Sequence, residues 1–273
     1  MKRPRPQVVA HRGSSATNAE HTLGAYIAAL DEGAEGLECD VRLSADGHLI
    51  CFHDRDLRRT GGSKVTVSTM DLADLEDYDV ATWKNPWAEL DDEAPDEDPS
   101  TRRVLTMREL LQTVADYPRR VELAIETKHP TRYGALVEQR LAELVREFGW
   151  HKAGSPVRVM SFSWAAVRRF HRACPELDVV FLMDSPRQWP RARFLLDKEV
   201  IAGPGIELLR EHPRFIKRVG KRARLHCWTV NTPADIDLCR GSGGGVDHRQ
   251  PRRDSGISRQ VGAVTAPMRC DLL

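Results

Sequence analysis

The chain has 273 residues, 41% of them apolar and 30% charged, with 41 basic against 40 acidic side chains. That length and apolar share suffice for one large domain with a sizeable core. A net charge of +1 makes no electrostatic case for a nucleic-acid partner, and no stretch approaches the roughly 20 apolar residues of a membrane span.

The opening Met1-Lys2-Arg3-Pro4-Arg5-Pro6 is charged but passes within a few residues into a strand, leaving no room for the apolar stretch of a signal peptide, so the expected location is cytoplasmic. That strand, Gln7-Val8-Val9-Ala10, delivers His11 and Arg12 onto a Gly13-Ser14-Ser15 loop whose backbone N–H groups can face an anion. A helix is expected from Thr22 to near Gly33. In Gly36-Leu37-Glu38-Cys39-Asp40-Val41, alternation puts Glu38 and Asp40 on one face and Cys39 on the other. Two carboxylates on one face are costly unless a cation sits between them, and oxygen donors favour Mg²⁺ or Ca²⁺ over zinc.

Asp46-Gly47 signals a hairpin between Val41-Arg42-Leu43 and His48-Leu49-Ile50-Cys51-Phe52. Folding about that turn sets position 53 opposite position 40, so His53 is expected across the ladder from Asp40. Residues 42–103 then break the pattern of alternating strands and helices and read as an insertion. Its acidic run, Asp91 to Pro99, reads as a solvated loop rather than a cation site. Tyr78, Trp83 and Trp87 read as that segment's own small core in preference to a pocket wall.

Thr106-Met107-Arg108-Glu109 is a capping box that starts a helix. The run Val121 to Lys128 is strand-like, with Glu126 and Lys128 on one face near its end; Glu122 and Ala124 fall on the same face, which blurs an interior assignment. Further helices are expected from Arg132 to Phe148, after Ser163, and at Thr232-Pro233, with strands at Val157–Ser161, Asp178–Met183, Glu199–Gly203 and Arg224–Val230. This β/α order points to a single α/β domain over 1–273, a (β/α)8 TIM-type barrel with a small insertion after strand 2. Its last β/α unit is atypical, because His248-Arg249-Gln250-Pro251-Arg252-Arg253-Asp254 does not look like a buried strand and no period returns before Leu273. The abrupt loss of pattern over 248–273 implies a change of reading frame near position 247, which translation of the encoding DNA in the other frames tests. The six cysteines, at 39, 51, 174, 227, 239 and 270, show no C-x-x-C pair and no zinc spacing, so they read as reduced thiols.

Taken in order, His11-Arg12-Gly13, Ala19-Glu20-His21-Thr22, Glu38-Cys39-Asp40, Asp46-Gly47, His53-Asp54 and Glu126-Thr127-Lys128 resemble the motif series of the glycerophosphodiester phosphodiesterases, and Ser161-Phe162 and Trp228-Thr229-Val230-Asn231 extend the likeness over roughly residues 7 to 247. The chain departs from the family at Ala19, where a Pro is usual, and at His21, where an Asn is usual, which alters the support behind the site; His21 is assigned no catalytic role. The resemblance implies a divalent metal, Mg²⁺ or Ca²⁺, on Glu38, Asp40 and Glu126, with His11 and His53 as the acid/base pair. It further implies that Arg12 and Lys128 neutralise the phosphate, that Glu20 and Trp228 border the substrate pocket, and that the insertion over 42–103 lies at the barrel mouth. The implied reaction is metal-dependent hydrolysis of a small phosphodiester to glycerol 3-phosphate and an alcohol; a lysophospholipase D-type activity and a non-catalytic phosphate-binding barrel are the alternatives, the latter because the closing strand is disrupted.

Overall fold

A computed structural model describes residues 6–85, 87, 99–195, 200–241 and 270–272. The strands are β1 (Val8–His11), β2 (Gly36–Leu43), β3 (Leu49–Cys51), β4 (Glu122–Thr127), β5 (Val157–Ser161), β6 (Asp178–Met183), β7 (Ile201–Pro204), β8 (Cys227–Val230) and β9 (Cys270–Leu272). Strands β1, β2, β4, β5, β6 and β7 lie side by side and parallel. Isolated parallel bridges Ala202 to Leu225 and Gly205 to Trp228 set β8 beside β7. The remaining slot, between β8 and β1, holds β9, which pairs antiparallel with both. The result is a (β/α)8-type barrel whose last β/α unit is incomplete: a three-residue antiparallel strand stands where a parallel one would close the ring.

Two apolar layers follow from the period-two alternation of the strands. Leu37, Cys39 and Val41 of β2 and Leu123 and Ile125 of β4 face outward into the large cluster shared with the helices. Val9, Ala124, Met160, Val180, Leu182 and Ile201 form a second cluster inside the barrel, with Trp228 packed on it. Glu122, on the inward face of β4, is matched by the buried Arg158, whose Nη2 donates to Glu122 Oε2 at 3.2 Å and to Gln7 Oε1 at 3.1 Å. That ion pair makes an interior position acceptable for Glu122.

The helices are α1 (Leu23–Asp31), α2 (Leu72–Glu76), α3 (Met107–Asp116), α4 (Leu136–Glu147), α5 (Trp164–Ala173), α6 (Gln188–Leu195), α7 (Ile206–Glu211), α8 (Pro213–Gly220) and α9 (Pro233–Gly241). Thr22 caps α1 by accepting from the Ala25 N–H, and both halves of the Thr106/Glu109 capping box are made at α3. Helix α4 starts four residues later than Arg132, and β7 and β8 start at Ile201 and Cys227, later than their sequence patterns suggested. Helices α6, α7 and α8 are short additions that no strong pattern announced.

The hairpin register differs from expectation. Val41, Arg42 and Leu43 pair with Cys51, Ile50 and Leu49, and the Phe52 N–H donates to Asp40 O at 2.9 Å, so Phe52 rather than His53 lies opposite Asp40. The cause is the loop: Gly47 N–H donates to Ser44 O at 3.2 Å and Ser44 N–H to His48 O at 3.0 Å, leaving Ala45, Asp46 and Gly47 as the loop residues. Gly47 takes the left-handed conformation, φ +87°, that follows a type I turn in such loops.

Ile50 of β3 and, beyond it, Phe52, Leu57, Val67, Leu75, Val80 and Val104 form a separate small core against which Met70, Leu72 and Tyr78 pack. Trp83 is half-buried and donates its indole N–H to Val80 O at 2.8 Å, while Trp87 is exposed. The acidic run over 91–98 and the tail over 242–269 lie outside the described residues. Cys39, Cys51, Cys174, Cys227 and Cys239 are buried free thiols, and among the described residues no helix is long and apolar enough to cross a membrane.

Candidate active site

Parallel strands present their C-terminal ends on one rim, where a (β/α)8 barrel carries its functional groups. His11 ends β1, Glu38 and Asp40 come from the second half of β2, and Glu126 comes from the end of β4 with Lys128 just beyond it. Register aligns them: His11 is beside Glu38 across β1 and β2, and Asp40 is beside Glu126 across β2 and β4. One carboxylate oxygen from each of Glu38, Asp40 and Glu126 lies within 4.8 Å of the others, and all three residues are buried.

The cations expected around this cluster are there. Lys128 Nζ bridges Asp40 Oδ1 at 2.8 Å and Glu126 Oε1 at 2.9 Å, and Arg12 Nε lies 3.1 Å from Asp40 Oδ2. Burial works against a charge on Asp40, but Lys128, a hydrogen bond from His21 and Arg12 overcome it and hold that carboxyl well below its ordinary range. Glu126 goes the other way: burial and then the charge of Asp40 push it up to about 8, with Lys128 opposing. Three carboxylates against Lys128 and Arg12 leave one surplus negative charge when all ionise, which adds to burial in raising Glu126. A divalent cation among the three oxygens would turn that surplus into one positive charge, opposite to the single charge of a phosphodiester. Hard oxygen donors at this spacing therefore fit an ion of the Mg²⁺ or Ca²⁺ type.

Of the imidazoles, His11 Nε2 stands 3.9 Å from Glu38 Oε2. His53 follows β3, half-buried, with Nδ1 2.7 Å from Asp54 Oδ1. Burial, Lys128 and Arg12 lower its pKa more than Asp40 and Asp54 raise it, so His53 is neutral near pH 7. An ionised Asp54 only accepts, so the His53 proton sits on Nδ1 and the lone pair on Nε2. Arg42 clamps the backbone here, donating from Nε and Nη2 to His53 O at 3.0 and 2.8 Å.

Glu20 faces guanidinium groups: its Oε1 accepts from Arg12 at 3.1 Å and from Arg59 at 2.6 Å, and its Oε2 accepts from Arg59 at 3.0 Å. Arg59 also donates to Asp54 Oδ2 at 2.7 Å, so Arg12, Glu20, Arg59, Asp54 and His53 form one chain of contacts around the rim. Trp228 comes from β8, beside β7. Its indole N–H donates to Gly203 O at 2.8 Å, and its ring meets Phe162 edge to face at 5.2 Å, above the inner apolar cluster.

His21 is the participant that sequence reading set aside. It is buried, and because burial keeps it neutral, Nε2–H donates to Asp40 Oδ2 at 2.9 Å while Nδ1 accepts from the Tyr26 hydroxyl at 2.8 Å. Both His21 and Arg12 adopt left-handed backbone conformations, φ +61° and +59°, and the His21 N–H donates to Arg12 O at 3.2 Å, so a strained loop aims both side chains at Asp40. Its position next to the Thr22 cap was the available signal; Arg42 carried none, because its partner is a backbone carbonyl, and the Arg59 contact to Glu20 spans 39 residues.

The sequence profile of the "Glycerophosphoryl diester phosphodiesterase family" matches residues 11–246. Among curated proteins, "Probable glycerophosphodiester phosphodiesterase 1" of Mycobacterium tuberculosis is 44% identical over 243 residues, covering 87% of this chain and 86% of that protein. "Glycerophosphodiester phosphodiesterase" of Bacillus subtilis is 31% identical over 236 residues, covering 84% and 78%. Among solved structures, an Oleispira antarctica phosphodiesterase in complex with the product sn-glycerol-3-phosphate superposes with a TM-score of 0.72 at 21% identity, covering 88% of this chain and 90% of that one, a likeness that bears on the fold.

Proposed function

This chain belongs to the glycerophosphoryl diester phosphodiesterase family and is a glycerophosphodiester phosphodiesterase; on that premise we propose that it hydrolyses glycerophosphodiesters to glycerol 3-phosphate and an alcohol, using a divalent metal and a histidine pair. The observation that carries the finer reading is the buried set of Glu38, Asp40 and Glu126 with one surplus negative charge, flanked by two cations and two imidazoles. Those carboxylates would hold Mg²⁺ or Ca²⁺, which when bound supplies Lewis-acid polarisation of a phosphoryl oxygen.

The chain's own groups do the rest. Arg12 and Lys128 offer N–H donors to the phosphate oxygens on which charge accumulates. His53 Nε2 takes the proton of the attacking water as the new P–O bond forms, or of a neighbouring substrate hydroxyl whose cyclic phosphate product a water then opens to glycerol 3-phosphate. His11 gives a proton to the alcohol oxygen as the old P–O bond breaks, so the alcohol leaves neutral. Asp54 keeps His53 in the tautomer this requires, and Glu20 and Arg59 hold Arg12 and Asp54 in place.

The test is release of glycerol 3-phosphate from glycerophosphocholine by the purified chain, with Mg²⁺ or Ca²⁺ and with a chelator. Metal-dependent release supports the reading. Equal release in chelator removes the metal from it, and no release from folded protein removes this substrate class.

A further inference from the structure

Where the end of β2 meets the chain after β4, a cavity of about 240 Å³ opens beside the site, with Arg42, Arg55, Ser68, Lys128, Thr131 and Arg132 among its lining residues. Four of those residues are cations, and no described lining residue is acidic. Arg42, Arg55 and Arg132 form no ion pair with any described residue. Arg132 donates only a long hydrogen bond, 3.4 Å, to Ser68 O and leans over the Tyr133 ring. Arg42 is committed to the His53 carbonyl, and its nearest negative charges, Asp40, Asp54 and Glu126, belong to the catalytic side. Burial lowers the Arg42 pKa, and Arg55 adds repulsion. Guanidinium groups that line one cavity without an acidic partner are suited to receive an anion, and their planar forks match phosphate oxygens.

The cavity and the carboxylate cluster share a wall, because Lys128 lines the one and bridges Asp40 and Glu126 in the other. An anion in the cavity is therefore next door to the phosphodiester. We propose that this cavity is a subsite for a second phosphate carried on the alcohol arm of the substrate, so that the enzyme favours glycerophosphodiesters whose leaving alcohol is itself a phosphate monoester. This inference rests on the phosphodiesterase reading of the neighbouring site.

The experiment compares glycerophosphoglycerol with the same diester phosphorylated on its terminal hydroxyl, in the native protein and in Arg55→Gln, Arg132→Gln and the double variant. The native protein is expected to show a kcat/KM about tenfold or more higher for the phosphorylated diester, since one charged hydrogen-bonding contact is worth roughly a factor of ten. In the double variant the ratio falls to near one. A native ratio at or below one, or a ratio that survives both substitutions, overturns the subsite. If neither diester is cleaved, the phosphodiesterase reading fails separately, and calorimetry decides the subsite. Pyrophosphate titrated into the protein in chelator then binds about tenfold more tightly to the native chain than to the double variant, and equal affinities overturn the proposal.

Discussion

At the residue scale, roles divide by which neighbour fixes each titrating group. In the proposed mechanism His53, oriented by Asp54, accepts a proton and His11, beside Glu38, gives one. Replacing either by Ala is expected to lower kcat by about two to four orders of magnitude while the fold persists; near-native kcat in both variants would end the assignment. Because the His53 pKa lies below its ordinary value, the acid limb of kcat/KM should fall below the usual histidine range, and that limb is absent in His53→Ala. Glu20 makes a stability prediction. Its carboxyl is drawn down from 4.5 to about 2: burial raises it, but the Arg59 hydrogen bond and the charges of Arg12 and Arg59 win. A depressed folded-state pKa stabilises fully above 4.5, and that contribution is lost as pH falls toward about 2. Urea unfolding of Glu20→Gln should therefore lose less midpoint than the native chain between about pH 5 and about pH 2.5. Equal losses would mean that Glu20 is not the acid-labile contact. Most of these residues were legible because strand alternation assigns faces. His21 was legible only as altered support behind the site, because its partner Asp40 lies 19 positions away.

At the scale of elements, the loop from Arg12 to Thr22 is the least forgiving part of the site. Gly13 has φ +81°, and a Cβ there would come within 2.7 Å of the Ala25 backbone at the start of α1. Gly13→Ala is thus expected to push α1 from the strand mouth, lowering the thermal midpoint by several degrees, about 1–3 kcal/mol of strain and overpacking, and to cost activity through Arg12. An unchanged midpoint by calorimetry would show that the loop yields freely. The β2–β3 hairpin shows how far sequence reaches: Asp46-Gly47 located the turn, but loop length is set by which residue takes the left-handed conformation, and placing Gly47 third rather than second moved every partner by one. Helices α6, α7 and α8 escaped notice because each has eight residues or fewer, too short for a helical period to stand out.

At the scale of the whole molecule, the β/α order was readable, but the closure was not, since Cys270-Asp271-Leu272 has no period to betray a strand. Removing residues 270–273 would leave β1 and β8 with open edges on facing sides. The shortened chain is expected to melt at lower temperature and to scatter more light on warming, and a coincident melt would show that β9 contributes nothing. The seam also divides the site. Glu38, Asp40 and Glu126 hang from β2 and β4, in the middle of the parallel stack, whereas His11 and Arg12 hang from β1, whose other neighbour is the three-residue β9. Amide hydrogens of β1 on the β9 side should thus exchange by local opening, well before those shared by β2 and β4. Gentle heating would then silence proton transfer while the cation seat is still intact.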